Sequence, residues 1–208
     1  MPRILEHTIQ ARPTASGIAS TLDALERTAH LQRTLRIVVR LLIQAIVLAA
    51  LVSLFFFRVP QVEGRSMQPN IESGNHVLIN TLAYGVALGP LVLTRTPIGR
   101  GDIVAFERGH GDDVKIFLKR VIALPGETVA LSNGAITVQG QPLDETYDLL
   151  PDHSSMNAAS VPTGTVFVLG DNRAESDDSR SFGPIPQSSI IGKAVFVIWP
   201  IGHVKRIL

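Results

Sequence analysis

The sequence predicts a mainly β protein. It reads as a barrel-like or sandwich-like β domain outside the membrane, with an inserted β-hairpin subdomain and one N-terminal transmembrane helix. Three observations carry this reading. One apolar run, Ile37 to Phe57, is long enough to cross a bilayer. Beyond Arg58 the chain breaks into short β-branched runs separated by Gly, Pro, Asn and Asp. One break, Asn133-Gly134, falls between two apolar runs and signals a tight hairpin.

The 208 residues have room for one domain of about 150 residues plus appendages. Residues 1–36 are polar with weak helical patterning and read as a cytoplasmic lead-in able to extend the membrane helix. Within residues 37–57 only Arg40 and Gln44 interrupt the apolar run. Arg40 lies one turn inside its start, where the side-chain stem can reach the headgroups. Arg27, Arg33, Arg36 and Arg40 stand on the N-terminal side, against Arg58 and Arg65 beyond the run. The positive-inside rule then sets the N-terminus in the cytoplasm and residues 58–208 outside. A cleaved secretory signal is the alternative. Signal peptides begin near the N-terminus and have shorter apolar cores, so an uncleaved anchor is favoured.

In the outer region, strands are expected at His76–Asn80, Asp102–Glu107, Val114–Leu124, Thr165–Gly170 and Gly192–Trp199. Thr128–Gly140 reads as a hairpin turned by Asn133-Gly134, opening a smaller inserted subdomain at about residues 128–164. Many short strands with turn signals argue for a barrel or sandwich. Leu82–Gly99 is apolar yet rich in Gly and Pro. It reads either as a loop over the core or as an apolar rim that touches the bilayer. The run ending at Trp199 is too short to span a membrane and is broken by Pro200, so it reads as a final strand.

Composition excludes several chemistries. A formal net charge of +1 gives no bulk attraction for nucleic acid or acidic substrates. The absence of cysteine removes disulfides, thiolate zinc sites and cysteine nucleophiles. The six histidines are scattered, with no HExxH pair. No phosphate-binding or dinucleotide glycine motif is present. Gly64-x-Ser66 resembles half of a nucleophile elbow, but Gln68 stands where the second glycine belongs. The acidic stretch Asp171–Asp178 lacks the central Gly and the twelfth-position Glu of a calcium loop.

The strand Val114–Leu124 is more informative. One face carries Phe117, Lys119, Val121 and Ala123, the other Leu118, Arg120, Ile122 and Leu124. Both faces are apolar, so the strand looks covered on both sides although it holds two adjacent cations. Arginine keeps its charge and needs a carboxylate. Lysine can lose its proton when desolvated, falling from about 10.4 towards 7–8, where it becomes a usable general base. A neutral lysine would explain how Ser66 could be activated without a histidine, since Ser–Lys pairs are a known variant of triad logic. In Gly170–Ile185, Asp178 and Arg180 could pair across a turn, and Asp171 could serve Arg120 or Arg173. Surface charge clusters of this kind usually contribute little, so spacing alone does not make this stretch catalytic.

These stretches, in this order, resemble the type I signal peptidases, membrane-anchored Ser–Lys proteases that cut leader peptides from exported proteins. Gly64–Asn70 is similar to the family's Ser-Met-x-Pro box. Tyr84-Gly85, Arg100–Phe106, Lys119–Glu127 and Gly170–Ile185 follow as its other boxes, so the resemblance spans the chain. It implies Ser66 as nucleophile, Lys119 as general base and Ser176 as a hydrogen-bond partner that directs the lysine. Asp178 and Arg180 would form a supporting ion pair, while Arg120, Asp171 and Arg173 match structural positions. The main-chain N–H of Ser66 would be an oxyanion donor. Lysine in the base position matches the bacterial branch, hence a bacterial cytoplasmic (inner) membrane. The resemblance implies no metal and no cofactor. The partners would be preproteins with small residues at −1 and −3 of the cleavage site, together with the lipid bilayer, and no nucleic acid.

Three departures from the family pattern stand out. Gly64 stands where some members carry a Ser or Thr whose hydroxyl completes the oxyanion hole. Asn70 stands where Thr is common. Ala174-Glu175 replaces the usual Asp-Asn but spares Ser176, Asp178 and Arg180. The rival readings are a narrow-client processing peptidase of the same chemistry and a catalytically silent peptide-binding β domain. Retention of both Ser66 and Lys119 argues against the silent domain. A self-cleaving repressor would need a DNA-binding region where the membrane run stands.

Overall fold

The computed structural model describes residues 15–85, 87–88, 91–92, 96–109 and 114–207. The chain forms two compact units, Met1–Val52 and Ser53–Leu208.

The first unit is helical. Helix α1 (Ala15–Phe56) has 42 residues, a length of about 63 Å at 1.5 Å per residue. That is about twice a bilayer's hydrocarbon thickness. Its apolar stretch runs His30–Leu51, with mean hydropathy 2.1 and none of it buried. Leucine, isoleucine and valine exposed all round a long helix suit a lipid surrounding, not water. The helix runs back through the polar lead-in to Ala15, well before Ile37. Residues 1–14 lie outside the described residues.

The second unit is mainly β. β1 (Phe57–Arg58) pairs with β2 (His76–Asn80). β3 (Ala87–Leu88) and β4 (Leu91–Val92) form a separate two-stranded ribbon. The other residues of the expected 82–99 rim are only partly described, and any contact of its middle with lipid lies outside the described residues. β5 (Ile103–Arg108) and β6 (Lys115–Ala123) pair in unbroken register from Ile103↔Arg120 to Arg108↔Lys115. β7 (Thr128–Ser132), β8 (Ala135–Val138), β9 (Gln141–Pro142) and β10 (Met156–Ser160) make a four-stranded sheet in the order β10-β7-β8-β9. β11 (Thr165–Leu169), a short helix α2 (Ser179–Phe182), β12 (Ile185–Pro186), β13 (Ile190–Trp199) and β14 (Lys205–Arg206) complete the chain.

The large sheet has eight strands ordered β1-β2-β13-β5-β6-β11-β12, with β14 on β13. β13 shifts register three times, between Ile190 and Gly192, Ala194 and Phe196, and Val197 and Trp199. Bulges of this kind bend and twist a strand, and the sheet curls into half a barrel. Gly192 permits one close approach: a Cβ there would lie 2.4 Å from the Asn80 carbonyl. Pro200 does end β13, as expected, but the chain returns through β14 to pair with Phe196 and Val197.

Alternation along the strands fills both faces. Ile103 and Ala105 pack with Val77, Ile79, Ala194, Met67 and Ile71. Val104 and Phe106 pack on the other side with Val121, Val166 and Val168. The smaller sheet closes over Ile122, Ala123, Phe167 and Leu169 with Val129, Leu131, Ile136 and Val138. The expected Asn133-Gly134 turn is present, with φ of 47° and 81° and Ser132↔Ala135 as the last pair. Positive φ at both central residues is what a type I′ turn requires. Gly134 is needed twice over, because a Cβ would lie 2.3 Å from the Asp152 carbonyl.

Candidate active site

Ser66 sits in a tight turn directly after the extended segment that follows β1. Gln68 N–H donates to the Arg65 carbonyl (3.1 Å) and Ile71 N–H to the Met67 carbonyl (2.8 Å). Met67 and Ile71 point into the core and anchor the turn, leaving the Ser66 side half-buried. Gly64 enters the turn at φ +85° with open space around it. A side chain there would meet no clash but would adopt a backbone conformation costly for L residues. This gives a backbone reason for glycine where some family members carry a hydroxyl residue.

Lys119 reaches the serine from β6. Strand alternation turns its side chain to one face and that of Arg120 to the other. Lys119 is 3% exposed, and its Nζ lies 2.7 Å from Ser66 Oγ. Among the described residues no carboxylate stands within ion-pair distance of it. Burial lowers the Lys119 pKa from 10.5 to about 8, against the opposing pull of the Asp178, Asp177 and Asp171 carboxylates. At neutral pH a minor but usable fraction is therefore neutral. Across 2.7 Å that neutral amine can accept the Ser66 hydroxyl proton.

The loop after β11 lies against the Ser66 turn. Asn172 N–H donates to the Ser66 carbonyl at 3.0 Å. Gly170 makes this possible, since a Cβ there would lie 2.4 Å from that carbonyl and 2.3 Å from Ser176 Oγ. Ser176 is thus brought beside the Ser66 turn, but the hydrogen bond expected between Ser176 and Lys119 is not formed. Its Oγ is buried with no hydrogen-bond partner among the described residues. The hydroxyl follows directly on the turn Arg173–Glu175 and lies over the bare Cα of Gly170.

The ionic residues fall into place around this centre. Asp178 and Arg180 pair through Nε–Oδ1 and Nη2–Oδ2 contacts, both 2.9 Å. Asp178 Oδ2 also accepts from Gly170 N–H, and its Oδ1 accepts from Arg180 N–H at the start of α2. Of the two partners open to Asp171, the structure selects Arg120, with two contacts of 2.8 Å and both side chains buried. Arg120 also donates to the Gly101 carbonyl (2.9 Å) and stacks 3.8 Å from the Tyr147 ring centre. Arg173 turns instead to the Gly170 carbonyl and to Glu145.

The segment Glu145–Ser154, between β9 and β10, carries no signal that sequence reasoning singled out. It supplies Glu145 to Arg173, Tyr147 to Arg120, the Asp148 carbonyl to Asn70, and Ser154 and Asp152 to Arg180. Its acids and aromatic residue look like solvated loop residues until the fold brings the three arginines beneath them. Asp102 is a second such hub, accepting from Tyr84 Oη (3.0 Å) and pairing with Lys193. Neither Ser66 nor Lys119 lines the cleft of about 530 Å³ formed by Asn70, Arg120, Tyr147, Asp148, Lys205 and Arg206, among others.

A serine hydroxyl faces a buried lysine in a β unit that follows a membrane-length apolar helix, and the family this chain matches defines the class: a serine endopeptidase. The family model described as signal peptidase, peptidase S26, matches residues 35–199, and the chain belongs to that family. A probable signal peptidase I-1 from Synechocystis sp. is 39% identical over 166 residues, covering 77% of this chain and 80% of that protein. The signal peptidase I of Bacillus caldolyticus is 37% identical over 171 residues, covering 75% and 87%. A solved signal peptidase I from Enterococcus faecalis V583 is 32% identical, with a TM-score of 0.40 over 47% of this chain and 97% of that one. The activity is the endoproteolytic removal of signal peptides.

Proposed function

We propose that this enzyme cleaves preproteins by a Ser66–Lys119 dyad through an acyl-enzyme. The observation that carries the proposal is the 2.7 Å contact between a buried Lys119 and Ser66 Oγ. Neutral Lys119 takes the hydroxyl proton as Ser66 attacks the scissile carbonyl, and returns it to the departing amine. The leader's carboxyl carbon stays esterified to Ser66 until water, deprotonated by Lys119, releases it. The Ser66 N–H serves the developing oxyanion together with a second donor or a water in place of the missing hydroxyl at residue 64. Ser176, whose buried hydroxyl has no hydrogen-bond partner among the described residues, directs Lys119 in the reacting complex, where catalytic hydrogen bonds tighten. Asp178–Arg180 and Arg120–Asp171 hold the loop and the strand on either side.

The substrate docks as an added strand, with main-chain hydrogen bonds for affinity and small pockets selecting small residues at −1 and −3. In the proposed topology residues 1–36 are cytoplasmic, the α1 part of residues 37–57 spans the bacterial inner membrane, and Phe57 of β1 together with residues 58–208 forms the outer catalytic region, with an inserted subdomain at about 128–164. Lipid contact by the catalytic unit is supported by its exposed Phe57, Val59, Phe196, Trp199, Ile201 and Val204. Trp is at home at a membrane–water boundary.

The test compares wild type with Ser66→Ala and Lys119→Ala on a purified secretory precursor in detergent, reading the new N-terminus by mass spectrometry. Cleavage after a small residue by wild type, reduced about 10⁴-fold or more in both variants, is expected. Undiminished cleavage by either variant breaks the dyad. No cleavage of several precursors by wild type would favour the narrow-client reading.

A further inference from the structure

Asn70 closes the turn that Ser66 opens, and its side chain makes two contacts at once. Nδ2 donates to Asp171 Oδ2 at 2.9 Å and to the Asp148 carbonyl at 2.7 Å. Both partners are pure acceptors, so only the amide's NH₂ end fits and both of its hydrogens are used. The turn is therefore gripped twice by consecutive residues, at Ser66 by Asn172 N–H and at Asn70 by Asp171. Asp171 is itself fixed by the buried guanidinium of Arg120, one residue along β6 from Lys119. The Asp148 contact adds the 145–154 segment to the same frame. Lys119 is placed by β6, Ser66 by this turn, and Asn70 is the side chain that ties the two placements together.

We propose that Asn70 is a positioning residue, setting Ser66 Oγ against Lys119 Nζ by bridging the Arg120–Asp171 pair and the Asp148 main chain. The inference rests on the Ser66–Lys119 reading. A threonine at this position has one donor hydrogen and can keep one bridge only; alanine keeps neither. A displacement of about 1 Å at the reacting atoms can lower a rate about 10²-fold. The loss falls on the chemical step, because Asn70 is placed to act on the turn and not on the bound leader.

The experiment measures kcat and KM of the full chain in detergent for wild type, Asn70→Thr and Asn70→Ala, corrected for folded fraction by near-UV circular dichroism. Asn70→Ala is expected to lose about tenfold or more in kcat with KM within about twofold, and Asn70→Thr to fall between it and wild type. Hydrogen exchange at residues 147–149 should quicken in Asn70→Ala, which releases the Asp148 carbonyl. A kcat per folded molecule within about twofold of wild type, or a loss confined to KM, overturns the inference. If Asn70→Ala fails to fold, Asn70→Thr decides alone: an unchanged kcat overturns the proposal. A Ser66→Ala control separates the two levels, because activity in that variant would remove the dyad whatever Asn70 does.

Discussion

Lys119 and Arg120 are adjacent on β6, both almost fully buried and both cationic in free solution, yet their surroundings differ in kind. Arg120 meets Asp171 through two 2.8 Å contacts, a main-chain carbonyl and a tyrosine ring. Lys119 meets a neutral hydroxyl, with carboxylates acting on it only from a distance. Pairing offsets the cost of burying Arg120's charge, whereas Lys119 is left to shed its own. Sequence adjacency and charge type do not decide the role of a buried cation; the partner on its side of the strand does. Strand alternation is what allows one strand to place an ion-paired guanidinium and a desolvated amine next to each other.

This contrast can be broken from either side. Asp171→Ala removes the carboxylate that offsets the buried charge of Arg120, and a loss of about 3–5 kcal/mol in stability is expected. A thermal or denaturant melt in detergent reads it, and a loss below about 1 kcal/mol would mean that water or Tyr147 serves Arg120 as well as the carboxylate does. Lys119→Met should act in the opposite sense. The folded pKa of about 8 lies below the ordinary 10.5, so below pH 8 the unfolded lysine is charged while folding must confine that charge. The penalty is fully present below pH 8, fades as pH rises towards 10.5 and vanishes above it. At 1.36 kcal/mol per pH unit it amounts to at most about 3 kcal/mol. Lys119→Met is therefore expected to be inactive yet more stable than wild type at pH 7, with the advantage gone by pH 11. A variant less stable than wild type at pH 7 would show that the Ser66 contact outweighs the desolvation.

Much of this was legible in the residues. The His76–Asn80 strand, the Asn133-Gly134 turn and the covered faces around Lys119 and Arg120 follow from period-2 alternation and turn chemistry, which are local. The β13 bulges, its central place in the sheet and the return of β14 are not local, since register is set by partners far along the chain. At the site, the motifs supplied Ser66, Lys119 and the Asp178–Arg180 pair. They did not reveal that Glu145–Ser154 would lie over three arginines, because a polar loop has no periodicity that betrays its contacts. Asn70 stood out as a departure, and only the fold shows two acceptors converging on its amide.

The finest test of the contrast uses Asp177, an exposed carboxylate that raises the Lys119 pKa from a distance without contacting it. Asp177→Asn removes that pull, so Lys119 should lose its proton at lower pH. The acid limb of kcat/KM, expected near pH 8 in wild type, moves towards acid by a few tenths of a unit, consistent with a solvent-screened charge. At pH 7 the variant then cleaves faster, by up to about twofold, because 0.3 unit doubles the minor neutral fraction. Raising the salt concentration should shrink the difference between the two profiles. A profile that does not move, or moves towards alkali, would mean that the limb belongs to a group other than Lys119.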